Sequence, residues 1–407
     1  MQITRSLSPQ HGVDRHADVV VVGARCAGAA TALLLARAGH DVVVVDRSDL
    51  AGDTLSTHAL ARGGVVQLTR WGLLDEVVSG GAPPIRQVLR GAGSGEQVRE
   101  IDAKGGVDHL LAPRRQVFDP LLAAAAAAAG AELRLRTRVT SLDRDDTGRV
   151  TGVTTLDPDG GEQRISAEVV IGADGLRSRV ARAVEAPIVE QRPSASSCHY
   201  AYYEGFDPHR FEFHVGDAGF AGVFPTNDDL ANVWVCVPAE RADRVLAAGR
   251  RQRAASHETL LDEVSPALAG RARHRRRATG VRGGVRFPIQ VRRAAGQGWA
   301  LVGDAAFHQD PMTGHGMTDA LRDAELLAGA VHGALTGRAD LDEALACYDR
   351  DRREASAPFL ELAAALTTHP PAEEFMALLK RLGKENDREA EWLASRPSLP
   401  QLAPAGA

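Results

Sequence analysis

The chain reads as an α/β fold: a Rossmann-like nucleotide-binding domain, discontinuous in sequence, with an inserted mixed β-sheet domain and a C-terminal helical region. Three observations predict it. Asp18–Val22 is an uninterrupted apolar strand that runs through Gly23-Ala-Arg25-Cys-Ala-Gly28 into an apolar helix, and Asp41–Val45 then forms a second strand closed by the acid Asp46. Such a βαβ opening is the start of a doubly wound sheet. Far downstream, the apolar strand ending at Val302 delivers Gly303-Asp304 and a loop with Pro311, Gly314 and Gly316 before the helix Asp319–Leu327. Between them, from Pro187 to Val291, short alternating strands hold most of the aromatic residues. A chain that leaves and rejoins its first domain in this way carries an inserted sheet.

The remaining elements follow from period and punctuation. The first helix is stopped by Gly39, and Leu60–Leu74 reads as a helix. Gln87–Arg90 and Gln97–Ile101 read as strands joined through Gly91-Ala-Gly-Ser-Gly95, a hairpin turn because no helix follows that glycine run. Phe118–Ala129 is a helix and Glu132–Val139 a strand. Val150–Leu156 and Gln163–Ser166 form a hairpin around Asp157-Pro-Asp-Gly-Gly161, and Glu168–Ile171 is a buried strand that ends in Gly172-Ala-Asp174-Gly175. In the inserted region His199–Phe206, Phe211–Val215, Gly219–Phe224 and Asn232–Val237 are strands, Ala239–Ala248 and Glu258–Val264 are helical, and Val281–Val291 is strand-like. From Leu341 the chain is helical and charged until a tail with Pro397, Pro400 and Pro404. The expected division is 1–86, 113–186 and 292–340 for the nucleotide-binding domain, 87–112 and 187–291 for the substrate domain, and 341–407 for the C-terminal helices and tail.

Composition narrows the function. The length of 407 residues suggests two domains, and with aromatics at only 4% the core is built mainly from Ala, Val and Leu. A net charge of −5 argues against nucleic acid as a partner. Cys26, Cys198, Cys236 and Cys347 share no CxxC or metal-ligand spacing, so no metal site is expected and a reduced, cytoplasmic protein is. Met1–Ala17 lacks the apolar core of a signal peptide, and no apolar run reaches the roughly 18 residues of a membrane helix. The expected partners are a small molecule and O2, with no membrane, in a monomer or homodimer.

Three motifs carry the chemistry. In the first, Gly23 and Gly28 flank a turn whose middle glycine is replaced by Arg25. A side chain there costs about 1–3 kcal/mol if the backbone is strained, while a guanidinium–phosphate hydrogen bond returns about 1.5–3 kcal/mol. Nucleotide binding therefore survives the substitution, with Asp46 placed to take a ribose hydroxyl pair. The second is Asp174-Gly175, which by itself is a common way for a strand to enter a helix. The third, Gly303-Asp304 with its Pro/Gly loop, offers a carboxylate for sugar hydroxyls and free backbone N–H groups for an electron-rich ring. One extended ligand touching both ends of the chain points to FAD rather than NAD.

In this order and spacing the motifs resemble the class A flavoprotein monooxygenases, the family of para-hydroxybenzoate hydroxylase. Asp304 is followed at +7 by Pro311, at +10 by Gly314 and at +12 by Gly316. The resemblance implies non-covalent FAD. Gly303 and Asp304 would bind the cofactor, with Asp304 holding the ribityl chain, and Pro311, Gly314, Gly316 and the Met317 backbone would line the flavin ring. Asp174 and Gly175 would be associated with the pyrophosphate and NAD(P)H, and Arg115, with Arg114 as its competitor, would contact FAD. NAD(P)H is implied as a transient reductant, since no second dinucleotide fingerprint exists. The resemblance covers Asp18–Ala38, Arg115–Leu122, Gly172–Val180 and Leu301–Leu327 and hardly touches the middle domain. Phe307, His315, Thr318 and Ala181 depart from the family's usual His, Gln, Asn and Arg, with Arg182 one residue off the last place.

The activity so implied is hydroxylation of a small aromatic substrate in specialised metabolism or aromatic degradation, with a flavin C4a-hydroperoxide as oxygen donor. Side chains then need only exclude water, orient the substrate and deprotonate a phenol. His58, in Asp53-Thr-Leu-Ser-Thr-His58, follows the second strand's acid at a distance that would place it near the flavin, set against a purely structural loop role; His308 and His315 sit in the flavin loop itself. Pro311 is the loop residue expected at the reacting ring. His199, Tyr200, Tyr202, Tyr203 and His214 alternate on strands, some toward a pocket and some toward solvent. The cluster Arg271–Arg277 is read first as a solvated surface and second as a phosphate contact. The alternatives are a halogenase, whose lysine and GWWxWxIP segment are missing, a geranylgeranyl-reductase-like enzyme, to which Val117-Phe-Asp-Pro-Leu121 and Asp310-Pro311 are similar, and a flavin-binding protein without catalysis.

Overall fold

The computed structural model describes residues 15–92, 95–248 and 253–399; Met1–Asp14, residues 93 and 94 of the expected glycine turn, Pro400 and Pro404 lie outside these. The chain opens with β1 (Arg15–Val22), α1 (Cys26–Arg37) and β2 (Val42–Val45), followed by α2 (Arg62–Arg70) and α3 (Leu74–Ser79). A hairpin of β3 (Gln87–Ala92) and β4 (Gly95–Glu100) precedes α4 (Arg115–Ala128), β5 (Glu132–Arg134), β6 (Arg138–Arg144), β7 (Val150–Leu156), β8 (Glu162–Gly172) and α5 (Arg179–Ala183). Then come β9 (Ile188–Arg192), β10 (Ser196–Glu204), β11 (Arg210–Gly216), β12 (Gly219–Pro225) and β13 (Leu230–Pro238). Helices α6 (Ala239–Ala248), α7 (Arg253–Val264) and α8 (Pro266–Arg273) lead to β14 (Arg282–Val285), β15 (Ile289–Arg292), β16 (Ala295–Gly296), β17 (Trp299–Leu301) and β18 (Phe307–His308). The chain ends in α9 (Gly316–Leu335), α10 (Leu341–Leu366) and α11 (Ala372–Ser395).

The first sheet has the order β16-β17-β8-β1-β2-β5, with the hairpin of β6 and β7 paired to β8. Its central strands are runs of valine because both faces are buried, as parallel strands under crossover helices require. The register decides where the chemistry goes. Val22 pairs with Val45 and with Gly172, and Gly172 pairs with Leu301, all in parallel. Four strands therefore stop on one edge, and the loops carrying Gly23, Asp46, Asp174 and Asp304 leave from it together.

The second sheet runs β14-β10-β13-β12-β11-β3-β4 and is antiparallel apart from β3 beside β11. Its two faces have different partners. Tyr200, Tyr202, Phe211, Phe220 and Trp234 pack with Phe359, Leu366, Phe375 and Leu382 of α10 and α11. On the other side Ala201, Tyr203, Val233 and Val235 meet Leu260, Leu261 and Leu268 of α7 and α8. At about 1.5–3 kcal/mol for each large side chain fully buried, this double cover outweighs any polar preference of single strand positions. It corrects the expectation that alternate residues of β10 reach solvent: His199, Tyr200, Tyr202 and Tyr203 are all buried. A small third sheet, β18-β15-β9, ties the segment after Asp304 to the inserted region.

Four further expectations are corrected. Glu132–Val139 is two strands, because Arg136 adopts φ 54° and turns the chain while its N–H donates to Ser48 O. Gln163–Ser166 and Glu168–Ile171 are one strand, β8, polar at its exposed start and apolar where both faces are covered. Val281–Val291 is broken at Arg286, φ 52°, so that β14 and β15 join different sheets. Leu60 forms an isolated bridge to Leu111, and the helix begins only at Arg62 and is over before Gly72, φ 68°. The hairpin of β3 and β4 and the helix Ala239–Ala248 are where the sequence places them.

The first turn demands glycine physically. Gly23 has φ 110°, and a Cβ there would lie 2.4 Å from Ala173 O, so the β1 and β8 loops touch. Gly23→Ala is expected to destabilise the chain by roughly 1–3 kcal/mol through forced φ > 0 and the backbone clash. Denaturant unfolding with an unchanged midpoint would contradict that account.

Candidate cofactor and substrate cleft

A cleft of about 990 Å³ opens along the shared strand edge and runs to the β10 wall of the second sheet. Gly23, Arg25, Asp46, His58, Arg115, Asp174, Gly175, Asp304, Pro311, Gly314, His315, Gly316 and Met317 all line it. Gly28 and Gly303 instead serve close packing. A Cβ on Gly28 would lie 1.8 Å from Gly23 O, and one on Gly303, φ 61°, would lie 2.7 Å from Ala27 Cβ. The second of these contacts brings the Asp304 turn against α1.

At the nucleotide end, Asp46 braces both neighbouring turns. Its Oδ2 accepts from Ala24 N at 2.7 Å, and its Oδ1 accepts from Ser48 N at 2.8 Å and Ser48 Oγ at 2.7 Å. Oδ2, with one bond accepted, keeps a second lone pair for a ribose hydroxyl. The N-terminus of α1 is held by a residue that sequence reasoning missed, Asp119 of α4. Its Oδ1 accepts from Arg115 Nε at 2.7 Å and from Cys26 N at 3.2 Å, and its Oδ2 accepts from Arg25 Nη1 at 2.9 Å. Arg25 also donates to Gly52 O at 3.2 Å. The side chain at the middle-glycine position is thus tied to Asp119 and Gly52. Two guanidinium groups against one carboxylate leave a net positive charge beside the first-turn amides of α1, as a pyrophosphate requires. Burial pushes the Cys26 thiol up to about 12, so it stays neutral there. Arg115 rather than Arg114 faces the cleft; Arg114 donates to Asp53 at 2.8 Å and lies over the Tyr202 ring, 4.5 Å from its centre. The signal for Asp119 was its position four residues after Arg115 on one helix face.

In the middle of the cleft, the Asp174 carboxylate turns back onto α5. Its Oδ1 accepts from Ser178 Oγ at 2.5 Å and its Oδ2 from Arg179 N at 2.6 Å, so its visible work is to hold that helix start. Asp304, by contrast, is exposed to the cleft and accepts no hydrogen bond from the described residues. The loop after it is set by Asp310, wholly buried, whose Oδ2 accepts from Ser194 Oγ at 2.6 Å and Oδ1 from Met312 N at 3.0 Å. Gly314 follows with φ 63°, and a Cβ there would lie 3.1 Å from Ala59. The start of α9 then presents its first-turn amides at Gly316 and Met317. Glycine turns, an unsatisfied carboxylate and two helix N-termini along one cleft fit a long dinucleotide with a flavin ring.

The inner end is polar and tightly built. His58 is fully buried in the left-handed region, φ 63°, a conformation rare outside glycine. Its Nε2 is hydrogen-bonded to Tyr202 Oη, and its Nδ1 has no partner among the described residues. Burial lowers its pKa to about 3, so the ring is neutral with one donor and one acceptor. Tyr200 Oη accepts from Ser56 N at 3.2 Å and Asn232 Nδ2 donates to Thr57 O at 3.1 Å, which fixes the segment carrying His58. His308 Nδ1 sits 2.5 Å from Pro288 O, holding β18 to the inserted region.

His315 does not offer a free nitrogen to a substrate. Its Nε2 lies 2.9 Å from Glu389 Oε2 and its Nδ1 3.0 Å from Asp319 Oδ1, with the ring stacked 3.9 Å from Phe359. The spacing of His315, Asp319 and Glu389 is that of a metal triad, yet Arg322 Nη1 reaches Asp319 at 2.7 Å and Glu389 at 3.0 Å and supplies the cation itself. Burial disfavours the imidazolium, but Glu389 and Asp319 outweigh it and hold its pKa at about 9. Nothing in the sequence marked Glu389, which α11 brings in from the far end of the chain. The Arg271–Arg277 cluster is a paired surface, with Arg271 on Glu212, Arg273 on Asp262, and Arg276 on Glu204.

Comparisons with known proteins agree with the cofactor. A family model described as FAD binding domain matches residues 16–363. Digeranylgeranylglycerophospholipid reductase 1 of Methanopyrus kandleri is 32% identical over 75% of this chain and 77% of its own. The crystal structure of pqsL, a probable FAD-dependent monooxygenase from Pseudomonas aeruginosa, superposes with a TM-score of 0.76 at 26% identity, covering 90% of this chain and 100% of that one. The flavin-dependent brominase Bmp2 has the same fold, with a TM-score of 0.76 at 18% identity over 92% of this chain and 93% of its own. FAD is the cofactor.

Asp304→Ala is expected to lower FAD retention, read from the flavin absorbance of purified protein; full retention would contradict a sugar contact at this carboxylate. Arg25→Ala should weaken FAD affinity roughly tenfold to a hundredfold, by leaving Asp119 less compensated beside the pyrophosphate; unchanged affinity would move Arg25 out of the cofactor site. The His315 cluster sets a pH dependence. The folded pKa of about 9 lies above the ordinary histidine value, so the contribution is full below about 6.5 and is lost as pH rises through 9. Its size is on the order of 3 kcal/mol. His315→Gln should therefore flatten the fall in unfolding free energy between these two pH values, as measured in denaturant; a slope equal to that of the parent chain would refute the protonated cluster.

Proposed function

The chain belongs to the FAD-binding domain family of oxidoreductases, and within it we propose an FAD-dependent monooxygenase that uses NAD(P)H and O2 to hydroxylate a small aromatic substrate. The observation that carries this reading is the inner end of the cleft. A buried imidazole nitrogen without a partner costs about 1–3 kcal/mol, and His58 Nδ1 is such a nitrogen on the wall beside the flavin loop. A substrate hydroxyl satisfies it. Tyr202 Oη, bonded to the other nitrogen, takes the complementary position in a proton chain: His58 holds the proton at Nδ1 or at Nε2 according to which neighbour donates. Arg114 over the Tyr202 ring favours negative charge on that side.

When bound, FAD supplies the redox chemistry, taking two electrons from NAD(P)H and delivering them to O2. The protein's part is placement and exclusion of water. Asp304 would hold the ribityl chain, the α1 turn the pyrophosphate, and the Asp310-braced loop the ring. Tyr200 and Asn232 lock the segment that holds His58 in its strained conformation, so the imidazole is preorganised toward the substrate.

Alkene reduction is the second reading, favoured by the identity to digeranylgeranylglycerophospholipid reductase 1 and by the apolar side of the same wall, Cys198 and Phe287. Against it stands the packing of the second sheet: Phe220, Trp234, Phe359 and Phe375 fill the face beyond Tyr200, where a long prenyl chain would have to run. Turnover of phenolic and prenyl substrates under 18O2 separates the two. One 18O atom in the product is expected, together with a Tyr202→Phe variant that keeps FAD but loses roughly 10²–10⁴-fold in hydroxylation rate. Undiminished substrate conversion without O2 would overturn the monooxygenase reading.

A further inference from the structure

Cys198 and Cys236 are distant in sequence and directly opposite each other on β10 and β13. In the same ladder Ser196 faces Pro238, which has no N–H to give, while the next pair is closed by Ala239 N donating to Ala195 O at 2.6 Å. Pair types alternate along an antiparallel ladder, so Ser196/Pro238 is a non-hydrogen-bonded pair, and so, two steps further, is Cys198/Cys236. Such pairs hold their Cα atoms about 4.5 Å apart with both side chains on one face. A disulfide spans about 4.4–6.8 Å between Cα atoms, so it closes here without moving the backbone. The thiols are free, buried and in direct interaction with each other. Cys198 lines the inner end of the cleft beside Tyr200 and Phe287. Cys236 lies behind it, within electrostatic reach of Asp310 in the flavin loop.

We propose that Cys198 and Cys236 form a redox pair, which hydrogen peroxide released in the cleft converts to a disulfide across the β10–β13 ladder. Only the source of the peroxide rests on the oxygenase reading, since a reduced flavin that meets O2 without substrate discharges its electrons as peroxide. The thiolate of Cys198 attacks one peroxide oxygen: an S–O bond forms, the O–O bond breaks, and hydroxide leaves and is protonated to water. The Cys236 thiol then attacks the sulfenic sulfur, loses its proton, and expels the hydroxyl as a second water. The dithiol loses two electrons and the peroxide gains two. The order follows from position, because Cys198 is on the wall and burial pushes the Cys236 thiol up. Closure draws the Cys198 sulfur off the cleft wall toward β13 and spends the oxidant beside the substrate pocket.

The test treats FAD-loaded protein with hydrogen peroxide, alkylates the remaining thiols and maps the peptides. A peptide joining Cys198 to Cys236, returned to two free thiols by dithiothreitol, is expected. Cys236→Ser should trap Cys198 as a sulfenic acid that reacts with dimedone, and Cys198→Ser should leave Cys236 reduced at the same dose. The parent protein decides the question even if a variant fails to fold. Cys198 that stays reduced, or passes to sulfinic acid with no linked peptide, while exposed Cys347 is oxidised overturns the proposal. A second arm omits added peroxide and supplies NAD(P)H, O2 and no substrate. The link is expected to form there and to be prevented by catalase; its absence in this arm alone overturns the source of oxidant and leaves the pair standing.

Discussion

Everything in this molecule that handles a ligand depends on the parallel register of β1, β2, β8 and β17. Val22, Val45, Gly172 and Leu301 end level with one another, so four loops from distant parts of the sequence meet on one edge. A slip of one residue in any pair would put these strand ends, and the loops that leave them, out of step. The register is held because both faces are buried, and the glycines at 23, 28, 172 and 303 let the loops touch where any side chain would collide. Tyr348 of α10 adds a bond to the same edge, its Oη donating to Leu301 O at 2.8 Å.

Charge is arranged around that edge in two buried groups with opposite purposes. Arg25, Arg115 and Asp119 leave a positive excess at the start of α1. His315, Arg322, Asp319, Asp323 and Glu389 form a buried network of ion pairs facing inward. Buried networks of this kind contribute little net stability over an apolar core but make one arrangement much better than its neighbours. Here the arrangement fixed is the loop between Asp310 and Met317 and its contact with α11.

The inner end of the cleft has a third character. It joins a strained histidine, two tyrosines and two cysteines on one face of β10 and β13, covered by aromatic packing from the C-terminal helices. The same cover that shortens the cleft buries His58, lowers its basicity and keeps the cysteines away from bulk solvent. The neutral imidazole and the protected thiols are consequences of one packing arrangement.

The sequence by itself determined the α/β class, the order of the elements and the cofactor. These rest on local signals: valine runs, glycine punctuation, and the fixed spacing from Asp304 to Gly316. Of the residues it named for the site, all but Gly28 and Gly303 line the cleft, because loop residues at strand ends are set by short-range spacing. What it missed was decided by contacts between distant segments. Asp119 met Arg25 only when α4 packed beside α1, and Glu389 met His315 only when α11 closed over α9. Cysteine spacing along the chain excluded a CxxC pair, whereas strand register placed Cys198 opposite Cys236. The left-handed turns at Arg136 and Arg286, which split two expected strands, are held by tertiary hydrogen bonds to Ser48 and Ser196. Local propensity fixes an element's type; which side chains share a dry, low-dielectric space is fixed by packing, and that is where pKa values and reactivity are set.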